Sequence, residues 1–251
     1  MQPTDDSGTA GPMTRAPDHA QDAAAPVPAD TAGDQPFGPH AAQILATEHW
    51  SLLAARSLIW SEAMSRANVF LTVLSAAIIA LALLADATGF GAQTTTLALV
   101  LLPVVLLLGV ATDVRLVQIN TEEYQLTLAM NRLRRAYLRI EPGLEQYFTT
   151  GHHDDEQGVM ATYMVDRPSR PRWSVYFLIN TPTIVATVDA ALAAAIAVLL
   201  LQVAGAARPV VVAGGVVAFL VVWGGLFVLQ QRSMGPVRDN TPRFPTPPDI
   251  P

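Results

Sequence analysis

Four stretches of the chain, 67–85, 94–112, 183–204 and 210–229, are apolar throughout and carry between them one charged residue, Asp189. Each approaches the ~20 residues needed to cross ~30 Å of hydrocarbon as a helix. Lipid offers no partner to a free backbone N–H or C=O, so a helix is the form such stretches must take there. Charged residues make up 14% of the chain, against about 25% in soluble domains. The deficit falls on these four stretches, which argues for a membrane protein. The expected fold is all-α and integral to the membrane. Four transmembrane helices form two antiparallel hairpins, closed by the short connections 86–93 and 205–209.

Positive charge sets the expected orientation. All 15 basic residues are arginine. Connection 86–93 has none and 205–209 has Arg208 alone. The stretch between the hairpins carries Arg115, Arg132, Arg134, Arg135, Arg139, Arg167, Arg170 and Arg172, and the C-terminal tail Arg232, Arg238 and Arg243. The central stretch and both termini are therefore expected in the cytoplasm. Residues 1–39, rich in Ala, Pro, Asp and Gly, lack the apolar surface to offset chain entropy and are expected to be disordered. The same expectation covers 232–251. The first hairpin with its helical extensions takes 40–148, a cytoplasmic linker and interfacial segment 149–182, and the second hairpin 183–231.

Two stripes with alternating steps of three and four extend the first two spans beyond the membrane as helices. One runs through Ala46, Trp50, Leu53, Ser57, Trp60, Met64, Ala67 and Leu71. The other runs through Leu116, Ile119, Glu123, Leu126, Met130, Leu133, Tyr137 and Ile140. Leaving neighbouring spans on one side, they are expected to pack on each other as a coiled coil. Pro142–Gly143 closes the second.

Few residues could carry chemistry. His152, His153 and Asp154, continuing to Glu156, are the densest set of metal-ligand types and would suit zinc. Adjacent residues do not converge on one centre, so the expectation is a solvated polar turn between Gly151 and Gly158, without metal. Asp189 is an intramembrane carboxylate, by default a proton or ion site or a helix-pairing group, with a purely structural role at the headgroup level as the other reading. It also lies near Thr181-Pro182, a helix start, from which it could pair with Arg115 or Arg66. Ala186, Ala190 and Ala194 on the third span, with Gly214 and Ala218 on the fourth, form small faces that let helices approach closely, within the chain or in a homo-oligomer. Trp173, Tyr176 and Phe177 read as an interfacial anchor and not as a base-stacking platform, so no nucleic-acid partner is expected. The sequence shows no phosphate loop, dinucleotide fingerprint or nucleophile elbow, and no cofactor is expected.

The runs TEHWSLLAARSLIWSEAMSRANVFLTVLSAA, DVRLVQINTEEYQLTLAMNRLRRAYLRI and YFTTGHHDDEQGVM resemble uncharacterised four-span integral membrane proteins of high-GC actinobacteria. This resemblance covers about residues 45–230 and implies a multi-pass protein of a bacterial inner membrane. It brings no activity and no site residues. A two-span hairpin with a cytosolic helix is also similar in architecture to the small two-span effector domains of bacterial conflict systems. The function expected is a non-catalytic membrane scaffold or interaction protein that binds the lipid bilayer and an unidentified protein partner. The alternatives are an oligomeric channel or pore-forming effector and a proton-coupled transporter centred on Asp189. An enzyme is not expected, since no acid, base and nucleophile converge.

Overall fold

The computed structural model describes residues 37–89, 91–163, 180–233 and 241–247. It is all-helical. Helix α1 covers Ala41–Thr88 and α2 covers Ala92–Ile140. A 3-10 turn follows at Pro142–Tyr147, then the short α3, Glu156–Thr162. Helices α4, Thr181–Val203, and α5, Arg208–Ser233, complete the order. The four long helices are each long and apolar enough to cross a membrane, which marks a multi-pass membrane protein. The expected anchor Trp173–Phe177 and the 1–36 part of the N-terminal tail lie outside the described residues.

Helix ends follow local chemistry. At the start of α4 the Asn180 side chain accepts from the Thr183 N–H at 2.9 Å, so the cap lies one residue before the expected Thr181. Helix α4 ends at Gly205, whose φ of 72° needs a residue without a Cβ. There the Gly205 and Ala206 N–H groups turn back to the Gln202 and Leu201 carbonyls at 3.0 Å each, a Schellman closure. Helix α2 runs through Pro103 without a break and stops at Glu141, ahead of the expected Pro142. Within the apolar stretches, Thr72, Ser75, Thr112 and Thr187 donate to carbonyls one turn back, which satisfies their hydroxyls where water is absent.

At ~1.5 Å per residue, the 48 residues of α1 and 49 of α2 are more than twice as long as the hydrocarbon is thick. Both therefore continue well past their apolar stretch. Helix α2 is central: it packs on α1, α4 and α5, and also meets the 3-10 turn and α3, while α4 packs on α5. Burial agrees, since 33% of the most apolar window of α2 is inside the protein against 11% for α1.

The seam between α1 and α2 differs from the expected one. On α1 it runs through Ile59, Ala63, Phe70, Leu74, Ala77 and Leu81, with Ala67 and Ala85 also buried. Met64 and Ala67 of the expected stripe lie on it, while Ile59, Ala63 and Phe70 fall one position before Trp60, Met64 and Leu71. Trp50 and Trp60 are 72% and 64% exposed, and Leu71 also faces outward. Leu53 is half-buried. On α2, Leu116, Ile119 and Met130 are buried as expected, Leu126 and Leu133 are half-buried, and Ile140 is exposed. Within the apolar stretch the small Ala67 and Ala77 let the helices approach, and Leu71 gains nothing by leaving lipid; Trp50 and Trp60 lie before that stretch, where this reason does not reach. Glu123, which interrupts the second stripe, is a contact and not a break: Arg56 of α1 meets it at 2.7 Å.

Between α4 and α5 the close approach is at Gly215, whose added Cβ would lie 2.8 Å from Val198 Cγ2 and 3.8 Å from the Ala194 carbonyl. Gly214 faces Leu201, Ala190 is fully buried, and Ala218 is half-buried. Gln230 near the end of α5 hydrogen-bonds Asn180 at 3.3 Å and accepts from Thr183 at 3.4 Å. These bonds tie the last turn of α5 to the first turn of α4.

Candidate functional site

Two carboxylates are buried between α2 and α4. Asp189, about two turns into α4, is 0% exposed, and Asp113 of α2 is 1% exposed. Among the described residues, neither oxygen of Asp189 has a hydrogen-bond partner, nor does Oδ1 of Asp113. The space for Asp189 is made by Gly109. A Cβ on that glycine would overlap the Asp189 carboxylate, coming within 2.6 Å of its Cγ, and would lie 2.8 Å from Phe70 Cε2 of α1. Gly109 and Asp113 are one turn apart on the same face of α2, so Asp113 lies on the side of α2 against which the Asp189 carboxylate packs. The site is thus a polar point at the meeting of three helices, walled by Phe70 and the bare backbone of Gly109.

Asp189 pairs with neither of the arginines expected for it. Arg115 holds Glu62 through Nε at 2.9 Å and Nη2 at 3.0 Å, and Glu122 through Nη1 at 2.8 Å. Arg66 also goes to Glu62, at 2.8 Å. These groups lie beyond the apolar stretches and spend their charges between α1 and α2. The sequence reading missed Asp113, which adjoins the end of an apolar run and passes there for an ordinary boundary charge. The legible signal was Gly109 four residues earlier, an unfavourable helix residue on the face of the only nearby acid.

A second polar cluster lies at the far end of α2. Asn131, fully buried, donates to the His153 carbonyl at 2.8 Å and accepts from Arg134 at 2.8 Å and Thr162 at 2.7 Å. It fixes the 151–163 segment on α2. Gly151 and Gly158 touch through backbone where a Cβ would collide. Tyr163 donates a short hydrogen bond to Glu123, the partner of Arg56.

The His152–Glu156 stretch is not the solvated turn expected. Asp154 is 2% exposed and accepts from Arg132 Nε at 2.7 Å, Arg243 N–H at 3.0 Å and Phe244 N–H at 2.6 Å. Asp155 caps α3 through the Gly158 N–H at 2.8 Å and accepts from the Thr246 N–H and hydroxyl at 2.7 and 2.9 Å. His153 Nδ1 lies 3.3 Å from the Phe244 carbonyl, and His152 stands over His153. Among the described residues no three metal-ligand side chains converge on a point. The stretch is a clasp for the C-terminal segment. It holds residues 241–247, part of the 232–251 tail expected to be disordered. A run of Thr, Pro, Arg and Phe has little to bury alone, but its backbone N–H groups suit two adjacent carboxylates. Burial works against charge on Asp154 and Asp155, yet the Arg132 guanidinium with the Phe244 and Arg243 N–H groups holds Asp154, and the Thr246 and Gly158 N–H groups with the Thr246 hydroxyl hold Asp155, below the ordinary carboxylate range.

Comparison of the chain with protein-family models, with curated proteins and with solved structures finds no match.

Proposed function

We propose that this is a non-catalytic membrane scaffold or interaction protein of a bacterial inner membrane. Its spans form two antiparallel hairpins, both termini lie in the cytoplasm, and the paired extensions of α1 and α2 stand there as a stalk. One observation carries the reading: the polar side chains beyond the apolar stretches are spent on holding helices and tail together. Arg115, Glu62 and Glu122 join α1 to α2; Arg56, Glu123 and Tyr163 do so further out; Asp154 and Asp155 hold the tail. The outward faces of α1 and α5 stay apolar, with Ile78, Ile79, Leu83, Val217, Leu220 and Val221 among their exposed residues. Such faces suit lipid or a second membrane helix. The positive-inside distribution of arginine supports the orientation. Purified protein in liposomes should show neither ionic conductance nor solute flux. Stepwise single-channel currents would replace this reading with a pore.

A proton-coupled transporter is the second reading, and the Asp113–Asp189 pair is what favours it. Transport needs a site that carries charge within the apolar layer, and this pair is such a site. Uptake in the same liposomes driven by a pH gradient would establish it.

A further inference from the structure

We infer that Asp113 and Asp189 together form a proton-binding site, holding one proton between their two carboxyl groups where α2 crosses α4.

An ionised carboxylate away from water needs donors or a cation. Both Asp189 oxygens and Oδ1 of Asp113 have no donor among the described residues. No cation is at hand on any helix packed around them. Helix α1 carries no charge between Arg66 and Asp86. On α2 the nearest cation, Arg115, is bound to Glu62 and Glu122. Asp189 is the only charged residue of α4, and α5 carries arginine only at its ends, Arg208 and Arg232. The Thr112 hydroxyl beside Asp113 is already given to the Leu108 carbonyl. Two negative charges left together under these conditions repel, and no cation or donor among the described residues offsets them.

A single proton removes the conflict. It cancels one charge and turns one carboxyl into a donor for the other, the arrangement two acids adopt when they share a site. A metal cation fits less well. Calcium or magnesium takes six or more oxygen ligands, and the walls here are Phe70 and the backbone of Gly109. Gly109 is the sign that the place is built: the glycine leaves room for a carboxylate that any other residue would expel.

The inference does not rest on the scaffold reading or on the transporter reading. A shared proton would hold α2 to α4 in either.

The test is infrared spectroscopy of protein carrying ¹³C-labelled aspartate, in lipid nanodiscs at neutral pH. The wild type should show the isotope-shifted C=O band of a protonated aspartic acid, amounting to one carboxyl per chain. The remaining aspartates are expected in water or are held ionised, as Asp154 and Asp155 are. The band should vanish in D113N/D189N. It should move in frequency in D113N, where the proton has lost its second carboxylate. Absence of the band in the wild type overturns the inference, whatever the variants do. So does persistence of the full band in the double variant, or its loss on adding sodium, which would mark a cation site.

Discussion

Gly109→Ala is expected to destabilise the protein by about 1–3 kcal/mol, the usual cost of forcing a methyl into a packed site. Alanine is the better helix former by about 1 kcal/mol, so a surface glycine would give the opposite sign. Here the added Cβ overlaps the Asp189 carboxylate and crowds Phe70. One of three helices must shift, and the contact between α2 and α4 is the one that opens. Gly109→Leu should prevent that contact altogether. The cause can be isolated by a cycle. Asp189→Ala removes the group that Gly109 accommodates, so G109A/D189A should be more stable than G109A alone. Residues in contact give such non-additive changes. Reversible unfolding in mixed detergent micelles measures all four proteins. A stabilising Gly109→Ala would show that the carboxylate does not lie over Gly109.

The second large effect concerns the clasp. Asp154→Ala should release residues 241–247. It removes hydrogen bonds from Arg132 and from two tail N–H groups to one buried carboxylate, and bonds to a charged group contribute about 1.5–3 kcal/mol each. Hydrogen exchange at the Phe244 and Thr246 amides reads the result directly: protected in the wild type, fast in the variant. The same contact should depend on acid. Asp154 and Asp155 are held below their ordinary range when the tail is docked. Docking is therefore complete above the ordinary aspartate value near ~4 and is lost as pH falls below it. Unchanged protection in D154A, or release on raising the pH, would contradict the clasp.

Much of the fold was legible because lipid leaves few choices. The four apolar stretches became four helices, α2 ended at Ile140, just ahead of Pro142, and each pair of helices is joined by a short connection, after Thr88 and after Val203. What was not legible turned on which faces meet. Bulk pointed to Trp60 and Leu71, but the seam takes Ile59 and Phe70, one position before each, and lipid can solvate Leu71. Sequence also assigned Asp189 as a lone acid, because no local pattern pairs it with Asp113 across 76 positions. The His152–Glu156 turn misled in the same way, since its partners Arg243, Phe244 and Thr246 lie in a stretch with no periodicity of its own. In each case a polar residue was read by its neighbours in the chain, while its role is set by a distant segment.

The central claim is a chain that crosses the membrane four times with its stalk and both ends in the cytoplasm. Because the sequence contains no cysteine, single cysteines report on one position each. Ala87 and Ala207 are exposed in or beside the two short connections, and Glu156 and Thr241 are exposed near the clasp. In intact cells a membrane-impermeant thiol reagent should label A87C and A207C. It should label E156C and T241C only after the membrane is opened. The reverse pattern would invert the protein, and labelling of Glu156→Cys together with Ala207→Cys would contradict four crossings.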